Sequence, residues 1–249
     1  MKYILCAVLL FLAADQLSAQ QWKWPDQPKN LTALPATTVG KDLQRTMFGF
    51  TSALGVRCTY CHVGEEGKDF KDFDFVSDAK PAKNKARLMI KMVKNINTQF
   101  LADMHEDNTP SMQVNCQTCH RGNSTPILLE DQLKRTFDKS GLDSTIKQYR
   151  ALREQLYGGF TYNFKEGTLL RLADKITEDS TKMQAAIEIV KLNIEMYPTF
   201  AFSYTHLASY FEDMGNKPAA IEQYQKALSF NPKNEMIKKQ LERLQGKQK

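Results

Sequence analysis

The sequence predicts an all-α protein in two parts, a run of helices that each lead into a CxxCH pentapeptide, then an α-solenoid of paired helices. Three observations carry this expectation. Apolar residues recur at spacings of three and four in the segments that lead into each CxxCH, a pattern in the second half returns after 34 residues, and no strand-rich segment competes.

The first segment, "MKYILCAVLLFLAADQLSAQ", has a charge at Lys2, an apolar run from Ile4 to Ala13 and small residues at Ser18 and Ala19. That is the layout of a secretory signal over residues 1–19, cleaved near Ala19 or Gln20. The run is much shorter than the roughly 20 residues a membrane span requires. Cys6 sits too early, and follows Ile-Leu rather than a small residue, for a lipoprotein signal. The remaining chain is expected to be exported and periplasmic, either soluble or held at a membrane by protein contacts, with no span of its own. Its net charge of +6 persists because Lys2 and Asp15 leave together. An exported chain makes nucleic acid an improbable partner for that charge.

From Thr38 to Leu54, apolar Leu43, Met47, Phe50 and Leu54 mark a helix that Gly55 would end. "CTYCH", Cys58 to His62, follows at once. The next stretch, "VGEEGKDFKDFDFVSDAK", is charged and carries Phe70, Phe73 and Phe75, which fit either a surface loop with a few packed rings or a cover over a cofactor edge. Ala82 to Met104 reads as an amphipathic helix, with Met89, Met92 or Val93, Ile96 and Phe100 on one stripe and Lys83, Lys85, Lys91 and Lys94 elsewhere. After a loop containing Asn108 and Pro110 comes "CQTCH", Cys116 to His120. Helix, CxxCH, loop, helix, CxxCH is a duplicated unit, expected to fill residues 20–128.

In the second half, Ala186, Ile187, Ile194 and Pro198 return as Ala220, Ile221, Leu228 and Pro232, each 34 residues on. This is the tetratricopeptide period. The stretch from Phe202 to Pro232 is similar to that family at Tyr204, Leu207, Ala208, Tyr210, Gly215, Ala220, Tyr224, Ala227 and Pro232. The preceding repeat has Thr181 where the inter-helix glycine belongs, which leaves its turn unassigned. Two repeats need covering elements at their ends. Residues 129–163 are expected to form a helical linker and cap, with "LDSTIKQYRALREQLY" closed by Gly158 and Gly159, and residues 164–245 the repeats with a final capping helix from Asn234 to Leu244.

Four of the five cysteines lie in the two pentapeptides, and the fifth is Cys6. CxxCH suits covalent haem because two thiols can add to the two porphyrin vinyl groups while the adjacent imidazole binds iron from one face. Cys58, Cys61, Cys116 and Cys119 are thus the candidate thioether residues of two covalently attached c-type haems, and His62 and His120 the proximal iron ligands. An all-thiolate zinc site would leave both histidines unexplained and spreads its pairs too far apart. Thioredoxin-like chemistry lacks its βαβ setting. A methionine as sixth ligand would favour ferrous iron and electron transfer. Met47 lies on a helix 11 residues before Cys58, and Met89 and Met92 share one helical face; spacing alone does not choose between these two, and methionine on an apolar face ordinarily packs a core.

"LGVRCTYCHVG", "ARLMIKMVKNINTQF" and "VNCQTCHRG", in that order, resemble the cytochrome subunit of photosynthetic reaction centres from about Asn30 to Ile127. The resemblance implies a multihaem cytochrome c domain in which a helix before each CxxCH supplies the distal methionine, here Met47 and Met89. In the ARxMxxM pattern the first methionine is the ligand, leaving Met92 as packing. Two departures matter. The reaction-centre subunit has four haems and this chain two CxxCH motifs; the family's extra haem-ligating histidine is matched by Asp103, with His105 nearby as a loop residue or alternative distal ligand. Arg121 completes the family's "CHRG" and is suited to a haem propionate or to solvent; the lysines from Lys80 to Lys94 suit an acidic partner or a solvated face. His206, on a repeat helix, is expected to be structural.

The expected function is a periplasmic dihaem cytochrome that exchanges electrons with donor and acceptor proteins and docks a protein or peptide, in a redox complex, through its repeats. It is not expected to be an enzyme. Two other readings are a dihaem peroxidase with one open iron site and an assembly scaffold with structural haems. Relatedness of the haem units does not fix whether the pathway is photosynthetic or respiratory.

Overall fold

The computed structural model describes residues 22–104 and 112–246. The expected leader, His105, Asn108 and Pro110 lie outside the described residues. The described chain is helical throughout, and its only β-type pairing is an isolated bridge between Val63 and Asp74. It divides into two compact units at Thr125 and Pro126.

In the first unit, α1 spans Gly40–Leu54 and stops as the sequence predicts: Gly55 takes the left-handed conformation, φ 63°, and Val56 N–H returns to the Thr51 carbonyl at 3.1 Å. α2 spans Pro81–Asn95, with proline in its first turn. The expected helix to Met104 does not continue as one α-helix. It widens into a π turn over Ile96–Phe100 and ends in a 3₁₀ turn over Ala102–Met104. A local tie accompanies the change. Asn97 donates to the Val114 carbonyl at 2.8 Å and accepts from its N–H at 2.9 Å, so the side chain binds the approach to the second CxxCH. α3, Cys116–His120, is the second CxxCH itself.

The first unit has little core of its own. Among its described residues only Leu43 and Ala53 are buried hydrophobics, while Phe48, Tyr60, Leu88, Met89, Met92 and Phe100 are exposed.

The second unit contrasts with this. α4 spans Leu129–Leu156 with a break at Gly141, φ 77°, just before the stretch from Leu142 expected to form the cap helix. Leu129, Leu133 and Tyr149 enter the same core as the repeats, and Arg150 pairs with Glu195 through two bonds of 2.8 and 2.7 Å. α5 (Thr168–Thr177) and α6 (Met183–Met196) form the first helical pair. α7 (Ala201–Asp213) and α8 (Lys217–Phe230) form the second. The limits of α6 and α8 differ by 34 residues at both ends, so the tetratricopeptide period is realised as repeated structure. α9, Glu235–Gln245, closes the stack; its N-cap is Asn234, which accepts from the Ile237 N–H.

The missing inter-helix glycine has a physical replacement. In the second pair Gly215 turns the chain at φ 73°, as glycine does at little cost. In the first pair Asp179 accepts from the Thr181 N–H and hydroxyl at 3.0 and 2.7 Å, and the turn proceeds through a 3₁₀ segment, Ser180–Lys182, without left-handed backbone.

Candidate haem attachment sites

Each CxxCH folds into about one helical turn, but by different means. In the first, Cys58–Tyr60 is a 3₁₀ turn, and the Cys58 carbonyl accepts from the N–H groups of Cys61 and His62 at 3.2 and 3.0 Å. In the second, Asn115 and Thr118 form a reciprocal capping box: the Asn115 side chain accepts from the Thr118 N–H, and the Thr118 hydroxyl accepts from the Asn115 N–H, each at 3.1 Å. Either turn brings both cysteines and the histidine close along a short stretch of backbone, as attachment to one porphyrin requires.

The two motifs also meet through their flanks. The Gly122 N–H donates to the Ala53 carbonyl at 2.8 Å, and a Cβ on Gly55 would lie 2.1 Å from the Gly122 carbonyl oxygen. Glycine at position 55 therefore serves a close backbone approach as well as the helix stop. The approach joins the lead-in of the first motif to the exit of the second.

The imidazoles differ. His120 Nδ1 lies 2.9 Å from the Asn123 carbonyl, so an Nδ1–H donor there leaves the Nε2 lone pair able to bind a metal. His62 Nδ1 is buried without a hydrogen-bond partner, and its ring meets Phe75 edge-on at 5.0 Å. Burial, then the charges of Lys83 and Arg87, pulls the His62 pKa down to about 4. The ring is neutral at physiological pH, the form that binds a metal.

Burial pushes the Cys61 and Cys116 thiols up, Cys61 against an opposing pull from Lys80. These are not the low-pKa thiolates of a reactive CxxC. Among the described residues no three His, Cys, Asp or Glu side chains gather to hold a bare metal ion.

Met47 is half-buried on α1 beside Phe48, whose ring meets Trp24 at 5.9 Å. Met89 and Met92 on α2 are 36% and 42% exposed, so neither fills a protein core. The packing role expected of Met92 is therefore absent from the polypeptide itself. A large apolar group bound at the motifs fits this unit: it would cover the exposed methionines and rings, and it would give the neutral His62 imidazole a partner.

Sequence reasoning reads Phe70, Phe73 and Phe75 together, as packed rings of a loop or a cover over a cofactor edge, but without Trp22 and Trp24. The structure gathers them with Trp22 and Trp24 into one aromatic cluster, with Trp22–Phe75 at 5.6 Å and Phe73–Phe75 stacked at 5.4 Å. The tryptophan pair just after the expected leader was the unused signal. Lys83 and Asn97 were missed as well; in sequence they are a lysine and an asparagine on an amphipathic helix.

Residues 27–129 match the family model described as photosynthetic reaction centre cytochrome C subunit. The photosynthetic reaction center cytochrome c subunit of Rubrivivax gelatinosus is 29% identical over 110 residues, 39% of this chain and 28% of that protein. Cytochrome c-554 of Chloroflexus aurantiacus is 36% identical over 117 residues, 47% of this chain and 25% of that protein. The chain thus matches only about a quarter of the length of these relatives. A solved structure, the first TPR of Spaghetti (RPAP3) bound to an HSP90 peptide, aligns at 14% identity and a TM-score of 0.32 over 47% of this chain and 88% of that one. The match over the CxxCH half gives covalently bound haem as its cofactor class. No helix among the described residues is long and apolar enough to cross a membrane.

Proposed function

We propose that this chain, similar over residues 27–129 to reaction-centre cytochrome c subunits, is an exported dihaem electron carrier whose repeats dock it to a redox partner. The observation that carries the reading is the pairing of each CxxCH turn with a preceding helix that presents methionine, in a unit whose apolar side chains lack a polypeptide core. Cys58 and Cys61 attach one haem and Cys116 and Cys119 the other. His62 and His120 are the proximal ligands, with Met47 and Met89 as distal ligands. Each haem supplies reversible one-electron chemistry when bound.

The polypeptide's part is positional. The capping box at Asn115 and the turn at Cys58 hold the thiols, the Asn123 carbonyl orients His120, and the contact of Gly122 with Ala53 keeps the two attachment segments adjacent. Residues 20–128 are the haem-bearing part, residues 129–163 a helical cap and residues 164–245 the docking module. The repeat module offers stacked helical pairs, the architecture on which peptides and helices dock.

The holoprotein should contain two haems per chain by pyridine haemochrome assay, both low-spin. Met47→Leu and Met89→Leu should each remove one methionine-to-iron charge-transfer band. One haem per chain, or a spectrum unchanged by Met89→Leu, rejects the corresponding assignment. A high-spin ferric component with rapid peroxide turnover would favour the peroxidase reading instead.

A further inference from the structure

The start of α2 carries three cations that reach back to the first motif. Lys80 donates to the carbonyl of Thr59, between Cys58 and Cys61. Lys83 donates to the carbonyls of Phe75, Val76 and Ser77 at 2.9, 3.1 and 2.8 Å. Phe75 is the residue whose ring lies against His62. Arg87 pairs with Asp78 at 2.9 Å and donates to the Asn30 carbonyl at 3.3 Å. Asn30 in turn bonds the Val76 carbonyl and Asp78, at 2.6 and 2.9 Å, so the loop carrying Phe75 is tied from both sides.

The charge balance of this cluster is uneven. An ammonium has three N–H donors, and carbonyls take all three from Lys83. Asp78, 3.2 Å from Lys83, is shared with Arg87. The Lys83 side chain is 11% exposed and that of Arg87 16%, against 44% for Asp78, so solvent screens the acid more than the bases. Asp74, the other acid here, spends one carboxylate oxygen on the N–H groups of Val76 and Ser77. With Lys80 the cluster holds three cations against the two acids Asp74 and Asp78, and its least exposed groups, Lys83 and Arg87, are cations.

We propose that Lys83 is a positioning and potential-setting residue of the first haem site: it fixes the Phe75 loop against His62 and, as a buried cation, raises that haem's reduction potential. The proposal rests on the haem reading above. Reduction adds one electron from a donor protein and lowers the site's net charge by one. A nearby buried cation therefore favours the reduced form. The consequence is asymmetric. The first turns of α2 bias the first haem, whereas Met89, Met92 and Asn97, farther along the same helix and its π turn, belong to the second.

The test is optical redox titration of the holoprotein in three forms, wild type, Lys83→Met and Asp78→Asn. Lys83→Met should lower one of two midpoints, Asp78→Asn should raise the same one, and the other should stay in place. In a Cys116→Ala/Cys119→Ala protein, which keeps attachment only at Cys58 and Cys61, the remaining midpoint should follow both shifts. Shifts of opposite sign separate charge from mere loosening of the loop, which would move both variants the same way. If Lys83→Met fails to mature, Asp78→Asn decides: an upward shift supports the proposal, and no shift or a downward one overturns it. Two haems loaded with both midpoints unmoved sinks this inference alone; failure of the wild type to load two haems sinks the reading beneath it.

Discussion

At the scale of single residues, the attachment unit depends on positions whose importance is steric. Gly55 ends α1 at φ 63° and admits the Gly122 carbonyl to within 2.1 Å of where a Cβ would stand. An L side chain in that conformation costs about 1–2 kcal/mol before any clash. Gly55→Ala should therefore lower the melting temperature of the holoprotein and reduce haem incorporation at both motifs, since the contact joins the two. A variant with wild-type melting and full loading would show the approach to be incidental. The eight residues of the proposed haem sites were legible from CxxCH spacing and from helix periodicity with the family resemblance. Lys83 was not, because a lysine on a helix looks alike whether it meets water or three carbonyls.

At the scale of elements, side-chain ties decide how successive helices meet. His206 on α7 sits 3.6 Å from Asp174 on α5, and Tyr210 donates to the same carboxylate at 2.9 Å. Asp174 pushes the His206 pKa up, and His206 in turn holds the Asp174 carboxyl below its usual range. The raised histidine contributes stability that is complete below its ordinary value of about 6.5 and is lost as pH rises through the folded value. The lowered aspartate contributes stability present above about 3.9 and lost on acidification. The pair is therefore strongest between these limits. The Asp174 side chain is 56% exposed, which keeps its worth under about 1 kcal/mol. Wild type should exceed His206→Gln in melting temperature by more at pH 5.5 than at pH 8.5; a gap independent of pH would leave His206 as packing alone. Helix existence followed from periodicity. The π turn at the end of α2 did not, because its tie to Val114 joins residues 17 apart in sequence.

At the scale of the whole molecule, the two units differ in what holds them. The repeat unit buries two clusters built on residues such as Leu133, Leu172, Ile189, Ala208 and Ile237. Among the described residues of the first unit, only Leu43 and Ala53 match that burial. Beyond these two and the partly buried aromatic cluster around Trp22, the unit gains little of the main favourable term of folding. Chain produced without haem should therefore keep the helical circular dichroism of the repeats, and limited proteolysis should leave a protected fragment beginning near Pro126. Equal resistance of both units in haem-free protein would show that the first unit folds without its cofactor.

The sequence by itself determined the helical class, the 34-residue pairing of α6 with α8 and the CxxCH residues, because each is set by local period or spacing. Tertiary structure alone decided that Gly55 meets Gly122 and that Lys83 is buried beside the first motif. The physical reason is common to both. Periodicity records which way a side chain faces along its own helix, whereas these contacts depend on which backbone arrives opposite it.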